Sequence, residues 1–115
     1  MSYKIAVASS DGKDINQHFG SAEQFFVYKV EDNNNFKFVE LRKAIDFHSK
    51  HEDHVSKLKN TIKGLSGCKF VLVTQIGDGA LRILRSNGIE VFDVEDSIEN
   101  ALNKVIKYYS TINTQ

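Results

Sequence analysis

Three short apolar runs constrain this chain most: Lys4-Ile-Ala-Val-Ala8, Phe70-Val-Leu-Val-Thr74 and Ile89 to Val94. Unbroken apolar runs of this length leave no face for water. They read as strands buried on both sides, which occur where helices cover both faces of a largely parallel sheet. The segments between and after them carry helical periodicity. Val55, Leu58, Ile62 and Leu65 recur at that spacing within Glu52 to Leu65. Ala80, Leu81 and Leu84 do so in a helix opened by Gly77-Asp78-Gly79 and closed after Ser86 by Asn87-Gly88. Ser97 can cap a last helix whose stripe is Ile98, Ala101, Leu102, Val105, Ile106 and Tyr109, and the tail beyond Ser110 is expected to fray. Phe25 to Val30 and Phe36 to Leu41 flank Glu31-Asp32-Asn33-Asn34-Asn35, which reads as a hairpin turn because asparagine tolerates positive φ. The order is β-β-β-α-β-α-β-α in one domain, residues 1–115. The expected fold is α/β: a mixed five-stranded sheet with helices on its faces, in which only the hairpin's middle strand runs against the others.

Charge narrows the function classes. Lys plus Arg and Asp plus Glu are both 15, so nothing in the net charge draws the chain to nucleic acid or an anionic membrane. No apolar run approaches the roughly 18 residues that span a bilayer. The apolar run at the N-terminus is too short for a signal peptide and leads straight into a strand. A single cysteine, Cys68, fits a reducing compartment, so a cytoplasmic protein is expected.

Strand direction decides which loops can cooperate. If the first strand runs upward, the loop Ser9 to Gly20, the connection Ala44 to His54, and the turns after the Phe70 and Ile89 strands all lie at the upper, carboxyl edge. Open α/β sheets place ligands there. All four histidines fall on that edge: His18 in Asn16-Gln17-His18-Phe19-Gly20, and His48, His51 and His54 at H-x-x-H-x-x-H spacing. Neutral imidazole is a strong ligand for borderline metals, and ligands three apart can converge on one ion. Cys68, a natural iron or zinc ligand, precedes its strand and falls at the opposite edge. Each feature has a plainer reading. His18 can fix its turn, and the His48 to His54 stretch can be a solvated connection. Gly77-Asp78-Gly79 can be a tight turn and not an anion seat at a helix N-terminus. Phe19, Phe25 and Phe26 read as core or site wall. Nucleophile, P-loop, His-Glu-x-x-His and Cys-x-x-Cys motifs are missing from the sequence. Asp11, Asp14 and Asp78 could meet as a two-metal carboxylate site, the one hydrolase reading available.

With these residues in hand, the chain resembles the dinitrogenase iron–molybdenum cofactor biosynthesis family. These are the NifX/NafY-like domains, also found as the C-terminal part of NifB-type proteins. The resemblance rests on Ile5-Ala-Val-Ala-Ser-Ser10, Asn16 to Ala22 with Phe25-Phe26-Val27-Tyr28, Phe70 to Thr74 before Ile76-Gly77-Asp78-Gly79-Ala80, and Leu84 with Asn87-Gly88-Ile89. It implies a ribonuclease-H-like three-layer fold. It also implies a non-catalytic protein that carries an iron–sulfur-based cofactor or precursor, an iron or molybdenum–iron species, between metallocluster donor and acceptor proteins. The family's ligand histidine corresponds to His18. The expected cofactor-binding set is His18, Phe19, Gly20, Gly12, Gly77, Asp78 and Gly79, with His48, His51 and His54 as further metal ligands. A monomer or weak homodimer is expected. The competing readings are a regulatory interaction module without a cluster and a divalent-metal phosphohydrolase.

Overall fold

β1 (Tyr3–Ala8) lies at the centre of the sheet, antiparallel to β2 (Gln24–Val30) and parallel to β4 (Cys68–Val73). β3 (Phe36–Lys43) pairs antiparallel with β2, and β5 (Glu90–Asp93) parallel with β4, giving the order β3-β2-β1-β4-β5. The structure is a computed structural model and describes residues 2–44 and 53–113, with the backbone alone for His54, Val55 and Asn113. The five-stranded mixed sheet with one reversed strand, and its α/β class, agree with the sequence reading.

Alternation along the strands splits the core in two. One face of the sheet presents Ala6, Ala8, Phe25, Val27, Val71 and Val73 to α1 (His54–Gly64) and α2 (Asp78–Ser86). The other presents Ile5, Val7, Phe70 and Leu72 to α3 (Ile98–Asn113), through Ile98, Ala101, Leu102, Val105 and Ile106. α1 follows Asp53, whose carboxylate accepts the Ser56 N–H at 2.7 Å as an N-cap. Asn34 takes φ 66° in the hairpin turn, as its residue type allows.

Four boundaries differ from expectation by two residues or more. α1 starts at His54 and not Glu52, because Asp53 is the cap. β3 runs on to Lys43, drawn out by pairing with Gln24 and Phe25 of β2. Cys68 is the first residue of β4 and not a residue before it, although its pairing with Lys4 keeps it at the edge opposite the β1 loop. α3 continues through Asn113 where a frayed tail was expected; Thr111 Oγ1 donates to the Lys107 carbonyl and stays within the helix. No helix among the described residues is long and apolar enough to cross a membrane.

Candidate functional site

The loop after β1 is built as a fixed lip. Ser9, fully buried, accepts the N–H groups of Asp11 and Gly12 on its hydroxyl and donates to Asp11 Oδ1. Asp11 Oδ1 also accepts the N–H groups of Lys13 and Asp14, at 2.9 and 3.1 Å. Those bonds, Lys13 first, hold the Asp11 carboxyl below the usual carboxylate range. Gly12 has φ +75° and sits against the Phe26 ring, where a Cβ would stand 3.1 Å from two ring carbons, so the turn favours glycine.

Further along, the loop is sewn to both neighbouring turns of the same edge. Ile15 N–H donates to Asp96 O, and Ile98 N–H to Lys13 O. Thr74 N–H donates to Gln17 O at 3.0 Å, and Phe19 N–H to Gln75 O at 2.8 Å. The expected gathering of the β1 loop with the turns after β4 and β5 is therefore met by direct backbone bonds. Asp96 is itself depressed, first by Lys104 at 3.0 Å and then by the Ser97 N–H.

Asp11 and Asp96 give this edge a pH dependence. Both folded pKa values lie below the unfolded ones, so the unfolded chain takes up protons first as pH falls. Their stabilisation is present above about pH 4 and is lost as pH drops through the folded values. Urea midpoints should therefore decline on going below about pH 4, and Asp11→Asn should flatten the decline. An unchanged slope in Asp11→Asn would mean the Asp11 turn contributes nothing.

Within Asn16 to Gly20 the side chains divide by task. Asn16 Oδ1 accepts the Ser10 N–H and its Nδ2 donates to Ser10 Oγ; Gln17 Oε1 accepts the Glu23 N–H. Phe19, 4% exposed, packs on Phe25 with ring centroids 6.2 Å apart. His18 precedes the 3₁₀ turn Phe19–Ser21, is exposed, and caps nothing with its imidazole. The turn-fixing role is carried by its neighbours.

The other expected residues are placed as follows. Gly77 is the N-cap residue of α2, with Asp78 and Gly79 in the first turn. A helix leaves its first N–H groups without intrahelical partners, and Gly77 has no side chain to cap them. The Gln75–Phe19 bond sets this turn beside the lip. The Gly12 N–H is already engaged by Ser9, and the Phe19 N–H by Gln75. His48 and His51 lie outside the described residues, as does the side chain of His54. The ends of that stretch are placed: Ala44 N–H donates to Glu23 O at 2.8 Å, just past the 3₁₀ turn, and Asp53 caps α1. Among the described residues, no group of three or more His, Cys, Asp and Glu could hold a metal ion. A cleft of about 570 Å³ opens beside the lip, lined by Gly20, Ser21, Glu23, Lys43 and Lys57 among others. Sequence reasoning missed it, because Lys43 and Lys57 meet only when β3 and α1 are assembled.

A mixed sheet flanked by helices, whose carboxyl edge carries a braced loop, an exposed histidine and a neighbouring helix N-terminus, defines a small α/β domain class. Residues 1–108 match the family described as dinitrogenase iron-molybdenum cofactor, and the chain belongs to that family. It is 37% identical over 101 residues to the FeMo cofactor biosynthesis protein NifB of Chlorobaculum tepidum, covering 85% of this chain and 22% of that protein. It is 29% identical over 110 residues to protein NifX of Klebsiella pneumoniae, covering 94% and 68%. The chain thus spans about a fifth of NifB and about two thirds of that NifX. The solved structure of PH0822 superposes with TM-score 0.68 at 26% identity over 91% of each chain. A Methanocaldococcus jannaschii protein superposes with TM-score 0.64 at 16% identity, covering 94% of this chain and 91% of that one, a likeness of fold alone.

Proposed function

We propose that this chain is a non-catalytic carrier of an iron–sulfur-based metallocofactor or precursor, an iron or molybdenum–iron species, bound through His18 at the carboxyl edge of the sheet. One observation carries the reading. In Asn16-Gln17-His18-Phe19, the other three side chains hold the loop, while the exposed His18 imidazole caps nothing, on a lip fixed by backbone bonds. A neutral imidazole there can ligate one metal vertex of the cargo. The N–H groups of the α2 first turn, Gly77 to Gly79, and of Gly20 suit its anionic sulfides. Lys43 and Lys57 add positive charge in the adjoining cleft. Gly12 and Phe19 serve the site by shaping the lip. His48, His51 and His54 belong to a stretch anchored beside the 3₁₀ turn and are auxiliary ligands in this reading.

A carrier needs few and replaceable ligands, and one histidine suits release better than a full thiolate set. The names of the NifX and NifB relatives support a place in metallocofactor assembly, between a donor and an acceptor protein. The lone buried Cys68 accords with a cytoplasmic setting. The phosphohydrolase reading needs Asp11 as a metal ligand, and its Oδ1 already accepts three hydrogen bonds within its own turn.

Anaerobic reconstitution with iron and sulfide tests the proposal. Wild type should acquire iron and visible absorption, and His18→Ala should lose most of both with its melting temperature unchanged, since exposed substitutions cost within about 0.5 kcal/mol. Equal iron content and equal absorption in the two proteins would overturn it.

A further inference from the structure

Among the described residues, the α3 face of the sheet is half covered. α3 packs over β1 and β4, while the hairpin beside it lays Phe26, Tyr28, Phe36, Phe38 and Leu41 on the same face. The rings pack on one another: Phe26 with Phe38 at 5.9 Å, Tyr28 with Phe36 at 6.0 Å and Tyr28 with Phe38 at 5.8 Å. Phe38 is nonetheless 52% exposed and Leu41 39%. Among the described residues, the opposite face has two helices where this one has α3 alone, and the aromatic half-face joins the lip directly, through Phe26 under Gly12. We propose that this half-face docks an amphipathic helix of another protein, lying alongside α3.

Four considerations bear on that occupant. Two strands about 4.8 Å apart, with their side chains, offer a floor roughly 10 Å wide, the diameter of one helix. A cleft of about 420 Å³ already separates the hairpin from the first turn of α3, with Tyr28 and Phe36 facing Ile98 and Glu99, and Gly12 and Lys13 at the lip. Pairing of a foreign strand along β3 is disfavoured, because the register slips between Val27 and Tyr28. That leaves Val39 as a bulge in the middle of the edge strand. A second copy fits the area poorly. With about half of a ~200 Å² ring exposed at Phe38 and smaller shares from its neighbours, the patch presents roughly 400 Å². Two copies face to face would bury about 800 Å², below the ~1,200 Å² of stable interfaces. A helix laid on the same patch buries a similar area and makes a transient contact, and the width of the floor, not the area, is what suits a helix. The groove is lined by one lysine, Lys13, and one glutamate, Glu99, whose charges balance, so the contact is apolar and insensitive to salt. It stands apart from His18; only its purpose, bringing a donor or acceptor to the lip, rests on the carrier reading.

The test uses the full chain and a panel of fluorescein-labelled amphipathic peptides of roughly 16 residues. Their leucine, phenylalanine or methionine face varies, and each has a scrambled control. At least one should bind by fluorescence anisotropy, equally at about 0.05 and 0.5 M salt. Amide shifts should be confined to residues 12–13 and 26–41 and to α3. Phe38→Ser with Leu41→Ser should weaken binding by about tenfold or more. Leu41→Ser alone should weaken it less, with circular dichroism melts confirming both folds. His18→Ala should leave peptide binding unchanged, so loss of iron and loss of peptide separate the two readings. Binding no better than the scrambled controls, or unaltered in the double variant, overturns the proposal. So does a wild-type dimer in sedimentation equilibrium that the double variant dissociates, which would make the occupant a second copy.

Discussion

Phe19→Ala is expected to lower the free energy of unfolding by roughly 3–4 kcal/mol. The melting temperature should fall by roughly 10–20 °C for a domain of this size. The ring is 4% exposed and belongs to the core between the sheet and the α1 and α2 helices, set against Phe25. Truncation loses the transfer free energy of the ring and leaves a cavity, because the Phe19 N–H bond to Gln75 and the Gln17 bond to Thr74 keep the backbone from collapsing inward. Against a total of about 5–15 kcal/mol this is a large share. Phe19→Leu fills most of the space and should recover most of the loss. In the carrier reading the consequence is local: Phe19 anchors the lip from which the preceding residue, His18, stands exposed. Differential scanning calorimetry decides it. A Phe19→Ala melt within two or so degrees of wild type would mean that the lip is held by its backbone bonds alone.

The parts of this structure that were legible in the sequence are those set by local pattern. The apolar runs at Ile5, Phe70 and Val91 read as core strands; the first two take the middle of the sheet, while the third forms its edge and is only partly buried. The Asn-rich break could be a turn because Asn34 can take positive φ. Strand directions then placed His18 and Gly77 at one edge, where Phe19 and Gln75 now share a bond. What stayed hidden depends on residues far apart in the chain. Asn16 and Gln17 look like generic loop polarity until Ser10 and Glu23 are seen to meet them. Phe36, Phe38 and Leu41 read as ordinary strand residues. That α3 covers β1 and β4 and stops short of the hairpin follows from how one helix sits on five strands, which no window of sequence records. The last turn of α3 has no apolar period of its own and is carried by the stripe before it.

Arg42 is the clearest case of such a hidden residue, and Arg42→Ala is expected to cost about 2–3 kcal/mol. On β3 it reads as the polar half of an alternating strand. In the fold its guanidinium, 16% exposed, donates to the carbonyls of Gly64 and Ser66 at 2.9 and 3.0 Å, closing the C-terminus of α1. It also forms a two-pronged pair with Glu40 and approaches Cys68 Sγ at 3.7 Å. Removing it leaves two helix-end carbonyls without that donor and Glu40 with Lys4 at 3.7 Å as its remaining ion-pair partner among the described residues. Lysine, a point charge without the planar fork, can replace one of these bonds, so Arg42→Lys should fall between wild type and alanine. The Arg42 bond holds the Glu40 carboxyl below its usual range. That part of the stabilisation is therefore present above about pH 4.3 and disappears as pH falls through the folded Glu40 value. Urea titrations should show the difference between wild type and Arg42→Ala narrowing from about pH 7 to about pH 3, with the carbonyl bonds accounting for what is left. A difference that stays constant over that range would assign the whole effect to the α1 terminus and none to the ion pair. A difference under about 0.5 kcal/mol at neutral pH would show that β3 and α1 hold together without the clamp.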